Sequence, residues 1–463
     1  MPSLSEILGL IEGCSSLLAL GFLACIDTLL HGSHETPRRK RELEKATHDL
    51  WSLDTPAENP LKHNFLLLPN GLQLHYLSRQ KDTRDHKAQV LIIFLHGFPD
   101  SSYLWSNLLS SDLLSPNATL ISLDLPGFGG SDSLPSYAPN DILPTVAIAT
   151  AELRKKHAGR CIVVAHDWGG AIASRVAART HGLVDHLVLV NSLFPLHFRT
   201  TLGRRVKRAV GSVSAWLRQP LRTGLLQVAR EEGAVFFAQL FKSHYVFMIN
   251  LPFFSAQRFP LIIHYFITTC HRMASPKSKD EATHWAASLG PSRTECSQST
   301  TTGTQYSSSV STRVSLFPAR IWDARLHLYK DGLMSARWTG NLDPALTAFI
   351  PAEEERGGAI DESRIRCPTS VIFGMEDPAL DPRICVDGLA EFVHPDTRGK
   401  GVLVRLKGVG HWSPVHAVGW RVVEKVLAIL IKTGEKEFPG NLVKVKDELG
   451  AMAPIDDVQV EEH

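Results

Sequence analysis

The chain is 463 residues long, 44% hydrophobic and 21% charged, with a formal net charge of +2 at pH 7. Such a length holds one large domain with an insertion or two domains, and so even a charge balance gives no electrostatic footprint for a nucleic-acid partner. The seven cysteines (Cys14, Cys25, Cys161, Cys270, Cys296, Cys367 and Cys385) are scattered, with no CxxC pair and no His at zinc spacing. Reduced thiols, a cytosolic catalytic domain and no structural metal are expected.

Residues 4–30 are strongly apolar, yet the stretch free of charge between Glu12 and Asp27 is only 14 residues, short of the roughly 20 that a spanning helix needs. No Lys or Arg precedes it, which argues against a secretory signal, and Arg38-Arg39-Lys40-Arg41 follows it. Positive charge on that side predicts that the rest of the chain stays cytosolic, whether the segment crosses the membrane or lies in its interface. Residues 1–45 are thus expected to form a membrane anchor with a basic stop. A helix packed on the protein's own surface is the alternative.

Phe65-Leu66-Leu67-Leu68 and Leu72-Gln73-Leu74-His75-Tyr76 flank Pro69-Asn70-Gly71, a hairpin signal because Asn-Gly supplies the positive φ angles of a tight turn. Near-continuous apolar runs follow at 90–95, 120–123, 162–165 and 187–190, alternating with helical patterns of which 142–157 and 170–180 are the clearest. Strands apolar on both faces, alternating with helices, predict an α/β fold with a mostly parallel central sheet, its first part spanning 46–195.

From 196 to 356 the strand rhythm gives way to apolar and aromatic helical stretches such as 233–251 and 260–273, an inserted helical cap. Within it, residues 292–315 are so rich in Ser and Thr that a mobile loop is expected. Arg204, Arg205, Lys207 and Arg208 read as a solvated helix face that could also meet anionic lipid. Strands resume at 369–373 and 402–406, a final helix runs over about 414–431, and 357–434 completes the core, leaving 435–463 as a loosely attached polar tail.

The chemistry centres on Cys161-Ile162-Val163-Val164-Ala165-His166-Asp167-Trp168-Gly169-Gly170-Ala171, which reads as strand, sharp turn and helix start with Asp167 at the apex. Ala165 and Gly169 suit a strained turn that brings neighbouring chain too close for larger side chains. A carboxylate at such an apex is nucleophilic at neutral pH without a base, although Asp before a helix is also the ordinary N-cap. Its partners follow other strands. After 90–95 comes His96-Gly97-Phe98-Pro99, whose Phe98 N–H, with that of Trp168, can form an oxyanion hole. After 369–373 comes Gly374-Met375-Glu376-Asp377, and after 402–406 comes Gly410-His411-Trp412. Open α/β sheets build their sites at such strand ends. Asp167, Asp377 and His411 are then nucleophile, orienting acid and general base, with His96 and His166 as supporting hydrogen-bonding groups beside Gly97 and Pro99.

Together HGFPDSSYLW, DLPGFGGSD, HDWGGAIA and GHW resemble the α/β-hydrolase-fold epoxide hydrolases across about residues 60–435. The resemblance implies an α/β-hydrolase fold and two cap tyrosines that donate hydrogen bonds to the epoxide oxygen. Ser243-His244-Tyr245, followed by Asn250-Leu251-Pro252, resembles the first tyrosine motif, and Leu326-His327-Leu328-Tyr329-Lys330 the second, with Lys330 where Arg is usual. A phenol pair is what epoxide opening needs, because the leaving alkoxide requires a proton and a departing halide does not. The expected activity is opening of a small apolar epoxide to a vicinal diol, with no cofactor and no metal, at the cytosolic face of the endoplasmic reticulum. A haloalkane or haloacid dehalogenase using the same Asp167, and a non-catalytic binding protein on this scaffold, are the alternatives.

Overall fold

Apolar runs with no polar alternation become inner strands because both of their faces are covered, and five of the parallel strands here are buried along essentially their whole length. The computed structural model describes residues 4–32, 36–54, 60–79, 90–157, 159–275, 281–298, 304–316, 318–340, 343–351, 361–432 and 458–463. Helices α1 (Leu4–His31) and α2 (Pro37–Trp51) lead into a nine-stranded sheet of order β1-β2-β4-β3-β5-β6-β7-β8-β9. Strands β1 (Leu61–Leu67) and β2 (Gln73–Arg79) form the expected hairpin. β2 runs antiparallel to β4 (Ala118–Leu123), while β3 (Val90–Leu95), β4, β5 (Arg160–His166), β6 (His186–Val190), β7 (Thr369–Gly374) and β8 (Val402–Leu406) are parallel.

The pleat sends alternate residues to two cores. Ile93, Leu95, Val163 and Leu189 join the layer that holds α4 (Pro139–Lys156) and α5 (Asp167–Arg179). Ile92, Phe94, Ile162 and Val190 join the layer that holds α3 (Ser106–Leu109) and the closing helix Gly419–Lys432. Each such side chain contributes roughly 1.5–3 kcal/mol on burial, so the sheet is a rigid platform for the loops at its carboxyl edge.

Between β6 and β7 the chain builds the expected helical cap: α6 (Pro195–Arg218), α7 (Gly224–Lys242), α8 (His244–Ile249), α9 (Pro260–Ala274), α10 (Glu281–Leu289), α11 (Arg293–Ser297), α12 (Ser308–Val314), α13 (Pro318–Arg325) and α14 (His327–Lys330). The stretch 233–251 is not one helix but two, broken at Ser243. Cap residues Met248, Phe254, Trp322 and Leu328 belong to the same apolar cluster as Ile93 and Leu95. The cap–core boundary expected at 356/357 lies outside the described residues.

Two expectations are corrected. Residues 292–315 are not a mobile loop where described: they form α11 and α12, with only 299–303 outside the description. Their hydroxyls cap helices, Ser292 with Glu295 in a reciprocal box and Ser307 through Val310 N–H. A few large side chains then anchor the segment. Tyr306 donates its hydroxyl to Trp51 O at 2.8 Å, and buried Arg313 donates to the carbonyls of Ser131 and Gly129, each at 2.6 Å.

The tail is likewise not loose at its end. Residues 433–457 lie outside the described residues, but β9 (Val458–Glu462) pairs antiparallel with β8 and His463 is buried. An edge strand is held by backbone hydrogen bonds, so its polar side chains remain in water without cost. The amino-terminal apolar segment is one helix of 28 residues that packs against α8 and α9.

Candidate active site

The turn after β5 has the strain that its small neighbours imply. Asp167 opens α5 at φ +50°, a left-handed conformation uncommon for a non-glycine residue. A Cβ at Gly97 would lie 2.2 Å from Asp167 Oδ1, and one at Gly169 would lie 2.4 Å from His96 O. Glycine is therefore the only fit on both sides of the apex.

Four strand ends converge here. Phe98, after β3, donates its backbone N–H to Asp167 Oδ1 at 3.0 Å. His411, after β8, places Nε2 3.6 Å from Asp167 Oδ2 and Nδ1 2.7 Å from Asp377 Oδ2, with Asp377 following β7. Asp377 is fully buried, and its other oxygen accepts the N–H groups of Ala379 at 2.8 Å and Leu380 at 2.9 Å. Asp167 keeps 18% of its side chain exposed, so it borders open space while its partner acid does not.

Burial by itself would raise both carboxyls. For Asp167 it is outweighed by the hydrogen bond and charge of His411 and by the Phe98 N–H, so its pKa is lowered. For Asp377 the charge and hydrogen bond of His411, with Asn191, have the same result. At His411 burial opposes the charge, but Asp377 and Asp167 together raise the pKa from 6.5 to about 10. The resting site is an imidazolium between two carboxylates.

His96 and His166 are placed as supports. His96 Nδ1 lies 2.8 Å from Gly97 O and Nε2 accepts the Leu125 N–H at 3.0 Å, so the proton is on Nδ1. His166 Nε2 donates to His411 O at 3.0 Å. Burial lowers the pKa of His96 to about 4 and of His166 to about 3. Both are neutral spacers and not bases. Pro99 follows Phe98 through a cis peptide bond.

From the cap, Tyr245 on α8 and Tyr329 on α14 reach the same space, their rings 6.0 Å apart. The Tyr329 ring lies 4.8 Å from Trp168 and 5.4 Å from Phe98. Burial pushes both phenols above their ordinary pKa, helped at Tyr245 by the negative charge of Asp167 and at Tyr329 by Tyr245 and then Asp167. Both are neutral and lie close enough to Asp167 to feel its charge. Lys330, in the position where Arg is usual, donates to Phe254 O at 2.9 Å.

Sequence reasoning missed three residues. Asp100 accepts Trp412 Nε1–H at 3.1 Å and has its pKa raised to about 7 by burial, against that hydrogen bond and with a further upward push from Asp167. Asn191, at φ +41°, donates Nδ2 to Asp377 Oδ2 at 2.8 Å, and Lys242 of the cap donates to Asp377 O. An Asn directly after a buried strand is the one signal that could have been caught. Among the described residues there is no cluster of three His, Cys, Asp or Glu that could hold a metal.

Residues 90–263 match a family model described as alpha/beta hydrolase fold. Epoxide hydrolase 3 of Xenopus tropicalis is 29% identical over 195 residues, 41% of this chain and 42% of that protein. Epoxide hydrolase 4 of Homo sapiens is 25% identical over 186 residues, 40% of this chain and 41% of that protein. A haloalkane dehalogenase of Bradyrhizobium diazoefficiens is 36% identical over 116 residues, 25% of this chain and 36% of that protein. The match thus spans less than half the length of these curated relatives. The crystal structure of an epoxide hydrolase from Vigna radiata aligns with 81% of this chain and 98% of its own at 15% identity and a TM-score of 0.49.

Proposed function

We propose that this chain, an α/β hydrolase by fold, is an epoxide hydrolase. The observation that carries the proposal is the pair of neutral phenols, Tyr245 and Tyr329, facing a carboxylate that is already ionised. Asp167 attacks an epoxide carbon through Oδ2, the carbon–oxygen bond breaks, and a tyrosine proton passes to the alkoxide, leaving an alkyl ester on Asp167. Ester formation removes the negative charge that helps hold His411 protonated, so the imidazolium passes its proton to the tyrosinate left by the first step and becomes a base.

His411, oriented by Asp377, then takes a proton from water as the water oxygen attacks the Asp167 carbonyl carbon. The tetrahedral oxyanion is met by the Phe98 and Trp168 N–H groups, and collapse releases the vicinal diol. As the intermediate collapses, the second water proton passes from the Asp167 carboxyl to the departing alkoxide, which restores the carboxylate beside the His411 imidazolium. The aromatic cap favours an apolar epoxide. Similarity to a haloalkane dehalogenase supports a second reading in which the same Asp167 displaces a halide. That route leaves the two phenols without a proton to give. A purely binding role leaves the ion pairs at Asp167 and Asp377 without a use.

The chain is also proposed to associate with a membrane through α1, in which an 18-residue window of Glu6–His31 reaches a mean hydropathy of 1.9. The substitution His411→Gln tests the enzymatic reading. Incubated with a styrene or fatty-acid epoxide, the variant should gain the mass of one substrate on the intact protein. A variant that gains no mass, in a parent that turns the epoxide over, would exclude the ester.

A further inference from the structure

Helix α1 is turned the wrong way round for a helix bathed in water. Its buried positions recur at Gly13, Ser16, Leu20, Ala24 and Asp27, a stripe of mostly small or polar residues, and this stripe faces the cap. The opposite stripe is apolar and open: Ile11 is 59% exposed, Leu18 75%, Phe22 67% and Leu29 84%. Small residues inward and large apolar residues outward is the arrangement of helices in lipid.

The helix is fastened at both ends. A Cβ at Gly13 would meet Phe247 O at 2.7 Å, so the α1 backbone lies directly on α8, the helix that carries Tyr245. About 21 Å further along, the buried Asp27 carboxylate accepts Arg272 of α9 at 2.8 Å. A helix tied along the cap in this way can cross a bilayer only if α8 and α9 enter it as well.

The exposed apolar face continues onto the cap. Glu12 of α1 is close enough to His244 to influence its charge, and the His244 ring lies 6.1 Å from that of Phe241, which with Phe237 stands 79% and 65% exposed on α7. Beside them, residues 195–230 of α6 and the start of α7 carry eight Lys or Arg and no Asp or Glu. Arg204 pairs with Glu391, and Arg205 and Arg208 pair with Glu232, while apolar side chains beside the remaining basic residues of this hairpin complement a surface of acyl chains under anionic headgroups.

We propose that the cap itself docks on an anionic bilayer, with α1 lying in the membrane plane and the α6–α7 hairpin beside it, so that α1 is an in-plane foot and not a spanning anchor. This rests on the membrane association proposed above and goes beyond it in geometry.

Two native cysteines on the outer face of α1, Cys14 and Cys25, are exposed. The full chain carrying Cys296→Ser, with either Cys14→Ser or Cys25→Ser, is labelled with an environment-sensitive fluorophore and bound to phosphatidylcholine–phosphatidylserine vesicles. Nitroxide lipids quenching at shallow and deep positions then read its depth. In-plane docking gives both labels the same depth. A spanning helix separates them by about 16 Å.

In parallel, Phe237→Asp/Phe241→Asp should lower partitioning in vesicle flotation by roughly tenfold while leaving epoxide turnover in detergent unchanged. Flotation of the full chain with unequal depths, or with no effect of the Phe pair, overturns the in-plane reading and keeps membrane association. Failure of the full chain to float, or its recovery as a dimer that no longer binds vesicles, overturns both.

Discussion

Phe98 donates its backbone N–H to Oδ1 of Asp167 at 3.0 Å. One carboxylate oxygen is thereby held, and the other, facing His411 at 3.6 Å, is the one that attacks in the proposed mechanism. In the proposed mechanism water strikes the acyl carbon of Asp167 and not the former epoxide carbon, so a single turnover in heavy-oxygen water should place the label in Asp167 and leave the first diol unlabelled. Peptide mass analysis of the elbow reads this directly. Label appearing in the diol of the first turnover would mean direct hydration of the epoxide.

In the proposed mechanism the two phenols act on the departing oxygen. Tyr245→Phe and Tyr329→Phe should each slow ester formation, the double variant by about 10²–10⁴, with ester hydrolysis little changed. Stopped-flow Trp168 fluorescence, with Trp168 next to Tyr329, offers a signal for the first step. Equal loss with a haloalkane substrate would favour the dehalogenase reading.

Asn191 holds the oxygen of Asp377 that also receives His411. Removing it leaves that buried carboxylate short of a donor, which costs about 1–3 kcal/mol. Asn191→Ala should therefore slow ester hydrolysis roughly tenfold to a hundredfold and make the ester accumulate in the steady state. A fall in alkylation alone would show that Asn191 acts elsewhere.

The pH dependence of stability has a definite sign. His411 titrates near 6.5 when unfolded and near 10 in the folded site, raised by Asp377 and Asp167 against burial. Its folded form therefore holds the proton more tightly, and the stability this gives is fully present below about pH 6.5 and lost as the pH rises toward 10. Relative to His411→Gln, the parent should melt higher at pH 6 and lose that margin by pH 10. A margin that grows with pH contradicts the ion-pair arrangement.

Much of this was legible before any coordinates, for physical reasons that can be named. Parallel strands such as Val90–Leu95 advertise themselves because both faces must be apolar, and residues just beyond them, His96 to Pro99, Asp377 and His411, are delivered to one edge by topology alone. Tyr245 and Tyr329 needed the family resemblance, since no periodicity distinguishes a catalytic phenol from a packed one. β9 escaped because edge pairing is written in the backbone and not in the side chains of Val458–Glu462. The 292–315 segment escaped because a low aliphatic content hides the three anchors Tyr306, Val310 and Arg313. Asp100 and Asn191 take their roles from neighbours distant in sequence, Trp412 and Asp377.

The cap is an insertion in the chain but shares its apolar contacts with the sheet, Met248 and Trp322 lying in one cluster with Ile93 and Leu95. It should therefore have no melting temperature of its own. Calorimetry should show cap and sheet unfolding together in one transition, and grafting a relative's cap to change selectivity will transplant half of a jointly owned interior, so the receiving sheet must be redesigned with it.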